Sequence, residues 1–126
     1  MSIKIEKSAF VEEMRRRTKQ LAIDTILICK NLEKCKASDV VSYQLIKAAT
    51  STGANYRAAC KARSKREFFS KICIVNEEID ETIYWFEIVE EASLLPNSQK
   101  LKQLSSEAQE LAKIISKAKD SCYQQN

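Results

Sequence analysis

An all-α fold, an up-down-up-down antiparallel four-helix bundle forming one domain over residues 1–126, is predicted by three observations. One glycine and one proline in 126 residues leave too few turn formers for a multi-stranded sheet or a disordered linker. Four segments carry apolar or small residues at alternating steps of three and four, the signature of amphipathic helices packed at shallow angles. The connections between these segments are only a few residues long, so consecutive helices must run antiparallel. A chain of this length forms one domain and buries about two-thirds of its unfolded surface.

The first helix is expected over about 9–36, on the seam Met14, Thr18, Leu21, Thr25, Ile28, Leu32 and Cys35. The second, about 39–62, has the seam Val41, Leu45, Ala48, Thr52, Asn55, Ala59 and Ala62, with Ser38 as its N-cap. Its stretch Ala48-Ala49-Thr50-Ser51-Thr52-Gly53-Ala54 is built of small residues, so another helix should come close to it. Gly53 costs about 1 kcal/mol in mid-helix relative to alanine, which close packing can offset. The third helix, about 65–94, uses Phe68, Ile72, Val75, Ile79, Thr82, Phe86 and Val89, and Ser64 with Glu67 forms a capping box at its start. Pro96-Asn97 ends this helix and caps the fourth, about 98–122, whose seam is Leu101, Leu104, Ala108, Leu111, Ile115, Ala118 and Cys122. The ends, about 1–8 and 122–126, are expected to fray. Asn55, level with Ile72, and Asn76, level with Ser51, are read as a buried polar network that fixes helix register, the alternative being a direct ligand contact.

Composition removes most chemistry. The chain has no histidine, hence no residue of the type that most often serves as general base, metal ligand or pH switch. A lone glycine excludes a phosphate-cradling glycine loop. The five cysteines, at 29, 35, 60, 73 and 122, form no CxxC pair and read as small apolar core residues rather than metal or redox groups. No apolar stretch approaches the ~20 residues of a membrane span, and the start MSIKIEKSAF lacks a secretory apolar segment. A reducing cytoplasm fits the free thiols. No catalytic residue, metal or cofactor is expected.

Charge is unevenly distributed. Residues 37–75 hold seven Lys or Arg against two acids, whereas residues 76–96 hold seven acids and no Lys or Arg. The acids Glu77, Glu78, Asp80, Glu81, Glu87, Glu90 and Glu91 are expected to pair with Lys34, Lys36, Lys100 and Lys102 at the same end of the bundle, or with a neighbouring protomer. A basic surface is expected from Arg57, Lys61, Arg63, Lys65, Arg66 and Lys71, beside Tyr43, Lys47 and Thr50, and on residues alone such a patch reads as a solvated lysine face or as a nucleic-acid interface. Arg15-Arg16-Arg17 is placed at the opposite end from the turn at 63–66. Ile23, Ile26 and Leu27 on the first helix, and Ile74, Tyr84, Trp85 and Ile88 on the third, face away from their seams. A helix apolar all round needs burial all round, so these residues are candidates for a homo-oligomer interface.

The stretch Ser51-Thr52-Gly53-Ala54-Asn55-Tyr56-Arg57-Ala58-Ala59, followed by Lys61-Ala62-Arg63-Ser64-Lys65-Arg66-Glu67-Phe68, resembles the central signature of the four-helix-bundle proteins encoded within 23S ribosomal RNA intervening sequences. Val75-Asn76-Glu77-Glu78-Ile79-Asp80-Glu81-Thr82 and Tyr84-Trp85-Phe86-Glu87 resemble its second half. The resemblance covers about residues 12–118. Gly53 stands where many members have proline and Ala58 where they have glutamate, so no role of that glutamate carries over. The resemblance implies an up-and-down bundle assembling as a homopentamer with no assigned enzymatic activity. It also implies similarity in fold to the accessory variability proteins of diversity-generating retroelements, which bind nucleic acid and a reverse transcriptase. The combined expectation is a non-enzymatic cytoplasmic homo-oligomer, preferably a pentamer, that binds RNA or a nucleic-acid-associated protein. The alternative is a purely structural oligomer or protein-interaction module.

Overall fold

A computed structural model of the chain describes the backbone of residues 3–125 and the side chains of residues 8–122. Four helices account for nearly all of it: α1 (Ile3–Cys29), α2 (Lys36–Cys60), α3 (Lys65–Glu91) and α4 (Gln99–Gln125). The termini expected to fray, about 1–8 and 122–126, fall mostly outside the described side chains.

Contacts fix the direction of every helix. Cys29 bonds to Ser42 and Thr18 lies beside Gly53, so α1 and α2 are antiparallel. Lys47 acts on Glu78, while Tyr56 and Ile72 line one cavity, so α2 and α3 are antiparallel. Phe68 meets Cys122 near the start of α3, while Leu94 and Leu101 are buried at the other end of this pair. Arg17 pairs with Glu107, and Asp24 with Lys100, across α1 and α4. Each helix touches its two sequence neighbours around the square, and α1 and α3 stand diagonally apart.

Most positions of the predicted seams form the core, while Phe68 on α3 and Ala118 and Cys122 on α4 are only half-buried. On α1, Met14, Thr18, Leu21, Thr25, Ile28 and Leu32 are all buried. Ile72, Val75, Ile79, Thr82, Phe86 and Val89 are buried on α3, and Leu101, Leu104, Ala108, Leu111 and Ile115 on α4. The threonines among them resolve their own polarity. Thr18, Thr25, Thr52 and Thr82 each donate their hydroxyl to the carbonyl four residues back, at 2.7–2.9 Å. A buried hydroxyl bonded in this way leaves no donor stranded in the core.

On α2 the seam departs from strict heptads. Tyr56 is buried, whereas Asn55 is half-buried and donates its amide locally to the Ser51 carbonyl and hydroxyl, both at 2.9 Å. Asn76 is likewise half-buried, so the expected buried polar network is not part of the core. The departure is local, because Ala59, the next position of the same series, is 1% exposed.

The caps also differ from expectation. Helix α1 stops at Cys29 because residues 30–32 tighten into bonds to the third residue back, which turns Leu32 into a buried plug beneath the loop containing Leu94. The amide of Glu33 donates to the Leu94 carbonyl at 3.0 Å, tying the two loops together. Cys35, expected on a seam, is the N-cap of α2, and Ser38 sits three residues inside the helix, buried, closing the capping box with the Cys35 sulfur. Ser64 caps α3 by accepting from the Glu67 amide at 3.0 Å, but the Glu67 carboxylate turns to Arg63 at 3.9 Å instead of completing the box. At the last connection, Asn97 adopts a left-handed φ of 60°. Ser98 caps α4 instead, accepting from the Leu101 amide.

Candidate nucleic-acid interface

The turn at 61–64 closes one end of the bundle, shared by the starts of α1 and α3 and the end of α4. Lys61, Arg63, Lys65 and Arg66 are exposed there because the chain has no seam to fill between the helices. Arg63 and Lys65 line an open cavity of about 400 Å³ with Ser64, Phe68 and Cys122, over the C-terminal part of α4. Lys71 lies half-buried on α3. The predicted basic surface is thus distributed over several sides of this end, and Arg57 stands apart from the turn.

Arg57 lies in a groove of about 260 Å³ between α1 and α2, with Arg15, Lys19, Thr50, Gly53 and Ala54. This corrects the expectation that Arg15-Arg16-Arg17 lies at the far end from the turn: α1 begins at the end where α2 finishes. The three arginines then meet three different environments. Arg16 pairs with Glu13 at 2.6 Å on the surface, which lowers the Glu13 carboxyl below its usual range. Arg17 grips Glu107 with two bonds, at 2.6 and 2.9 Å, and reaches Glu110 at 3.2 Å. The bond to Glu107 drives the Arg17 pKa upward against the opposing effect of burial. Arg15, Lys19 and Arg57 have no carboxylate within ion-pair distance among the described residues.

The groove exists because the helices are close. A Cβ at residue 53 would stand 3.3 Å from the Thr18 carbonyl oxygen, close enough to backbone that α1 and α2 would have to give by a few tenths of an ångström. The small-residue stretch therefore does bring a neighbour near, and that neighbour is α1. Sequence reasoning missed the role of Arg15 and Lys19, although up-down topology alone places the start of α1 beside the end of α2.

A second concavity at the same end, about 280 Å³, is apolar and enclosed by Phe10, Met14, Tyr56, Cys60, Phe68 and Ile115 among others. Burial pushes the Tyr56 phenol and the Cys60 thiol above their usual pKa values. Among the described residues, no three of Cys, Asp and Glu come together to hold a metal ion, and no helix is long and apolar enough to cross a membrane. The acidic run of α3 makes no ion pair among the described residues, and Lys100 pairs with Asp24 instead.

The oligomer candidates divide. Ile23, Ile26, Leu27 and Tyr84 are exposed. Ile74 is half-buried, and Trp85 and Ile88 pack partly against the core. Trp85 also makes an edge-on contact with Tyr84 at 5.0 Å. Val40 and Tyr43 add exposed apolar surface on α2.

The sequence model of the 23S rRNA-intervening sequence protein family matches residues 12–117. Among solved structures, the fold is similar to that of a protein of unknown function from the S23 ribosomal protein family of Bacteroides thetaiotaomicron. The TM-score is 0.76 at 24% identity, covering 84% of this chain and 97% of that one. No curated protein matches the chain.

Proposed function

Because the chain belongs to the 23S rRNA-intervening sequence protein family, we propose that it is a non-enzymatic, homo-oligomeric cytoplasmic bundle that binds RNA through its basic end. The observation that carries this reading is the lengthwise separation of charge. The exposed Lys61, Arg63, Lys65 and Arg66, with Arg15, Lys19 and Arg57, which are unpaired among the described residues, occupy the half of the bundle nearest the 61–64 turn. The seven acids of residues 76–96 lie in the other half. An RNA backbone approaching the basic half meets unpaired cations without crossing the acidic face, and assembly would multiply a weak site by effective concentration.

The rival reading, a structural oligomer or protein-interaction module, draws on the exposed Ile23, Ile26, Leu27 and Tyr84. A titration separates them. Single-stranded and duplex RNA should bind at about 50 mM salt with an affinity that falls steeply as salt rises, because neutralised phosphates release counterions. Replacing Arg57, Lys61, Arg63 and Arg66 together with glutamine should flatten that slope and leave the helical fold intact. Absence of binding at low salt would leave only the interaction module.

A further inference from the structure

The three cations of the α1–α2 groove differ in kind from those of the turn. Lys61, Arg63, Lys65 and Arg66 are spread over an open surface, whereas Arg15, Lys19 and Arg57 line one concavity of about 260 Å³. Its walls are small: Thr50, Gly53 and Ala54 on α2 leave room for a group to come down to the helix surface. Arg15 is half-buried yet has no carboxylate partner among the described residues, while its near neighbour Arg17 has two. A guanidinium that no carboxylate occupies keeps its donors available to an anion that enters the groove.

We propose that this groove seats one phosphate group of a nucleic acid, shared by Arg15, Lys19 and Arg57. The proposal rests on the RNA-binding reading and adds to it the group bound and the place that holds it. A guanidinium presents its donors in a fixed fork that matches phosphate oxygens, and Lys19 supplies a third positive charge as a point contact. Gly53 sets the separation of α1 and α2, and with it the spacing of Arg15 and Arg57 across the groove. The same chemistry is offered by an internal phosphodiester and by a terminal phosphate.

The test uses the fact that three cations sharing one phosphate release the counterions of one. Binding of a single-stranded RNA is measured as a function of salt for the wild type, for Arg15→Gln, Lys19→Gln and Arg57→Gln singly, and for all three together. With one shared seat, the triple variant lowers the salt slope by about 0.7, the value for one phosphate of a single strand, while each single variant leaves two cations on that phosphate and lowers the slope by less. A slope lowered about three times as much means three independent contacts and overturns the seat, and an unchanged slope overturns it too. In both cases the wild type still binds RNA, so the general reading survives. Absence of wild-type binding at about 50 mM salt removes both. Repeating the series with a 5′-hydroxyl and a 5′-phosphate oligonucleotide identifies the source. A terminal phosphate is the ligand if the wild type and triple variant differ only on the phosphorylated strand, and an internal one if they differ equally on both. Gly53→Ala, which alters no charge, should weaken binding several-fold by parting the helices. Retention of full affinity in a variant whose helices have measurably separated would also overturn the seat.

Discussion

Arg17 shows how one residue closes the seam between α1 and α4. Its guanidinium holds Glu107 by two parallel bonds and adds Glu110, and the Arg17 and Glu107 side chains are only 17% and 32% exposed. Arg17→Gln removes the fork and leaves Glu107 partly buried without its cation. Hydrogen bonds to charged groups are worth about 1.5–3 kcal/mol, and partial exposure lowers this, so a loss of about 1–2 kcal/mol is expected. Urea unfolding at fixed protein concentration should show a lower midpoint at an unchanged slope. Arg17→Lys should fall between the two, because it keeps the charge but not the bidentate geometry. RNA affinity should be insensitive to either change, whereas Arg15→Gln, two residues away, should reduce it. The triplet Arg15-Arg16-Arg17 reads in sequence as one basic cluster. Its division into a groove residue, a surface pair and an interhelical clamp depends on which carboxylates α4 brings alongside, and no local pattern encodes that.

At the scale of elements, the interior of the bundle is legible because burial repeats with the helix. Met14 through Ile28 and Ile72 through Val89 are core positions at the predicted steps. What periodicity did not resolve lies where it stops applying. Leu32 has the spacing of a fifth turn of seam but acts as a loop plug, and Asn55 yields its inward place to Tyr56 before the series resumes at Ala59. The packing of α2 against α3 adds an electrostatic feature that depends on pH. Glu78 has its carboxyl pKa raised, first by burial and then by Glu81 and Glu77, with Lys47 opposing. A carboxyl whose folded pKa exceeds its unfolded one binds more protons when folded, so the bundle gains stability as pH falls through the folded value. The gain is complete below the unfolded value. Glu78→Gln should therefore raise the melting temperature at pH 7, by an increment of about 0.5 kcal/mol or less given the partial exposure. That advantage should shrink to nothing near pH 4. A glutamine variant that is less stable at pH 7 would assign Glu78 a favourable contact instead.

At the scale of the whole molecule, the two exposed apolar patches stand on different helices, and that determines what kind of assembly they can make. Ile23, Ile26 and Leu27 are 41%, 38% and 50% exposed on α1, and Tyr84 is 52% exposed on α3. These helices occupy diagonal corners of the bundle, so their outward faces point to opposite sides. Patches on opposite sides cannot share one isologous contact. The two patches can meet each other only head to tail, α1 of one protomer on α3 of the next, and contacts of that type close into rings when the rotation between neighbours closes and otherwise run on as filaments. Light scattering should accordingly find a multimer well above the 14.4 kDa chain at micromolar concentration, and a stable monomer would remove the reading. Trp85 is a poor probe because it packs partly against the core, so substitution there would confound folding with assembly. Leu27→Glu and Tyr84→Glu each place a charge on one patch and spare the interior, and each variant alone should be monomeric. Mixed together they should form dimers and nothing larger, since the intact α3 patch of the Leu27→Glu chain meets the intact α1 patch of the Tyr84→Glu chain. An isologous α1 contact would instead leave Tyr84→Glu dimeric by itself, and an isologous α3 contact would do the same for Leu27→Glu. Mixing would then add nothing, so the same experiment reports both whether the chain assembles and in which sense its neighbours face.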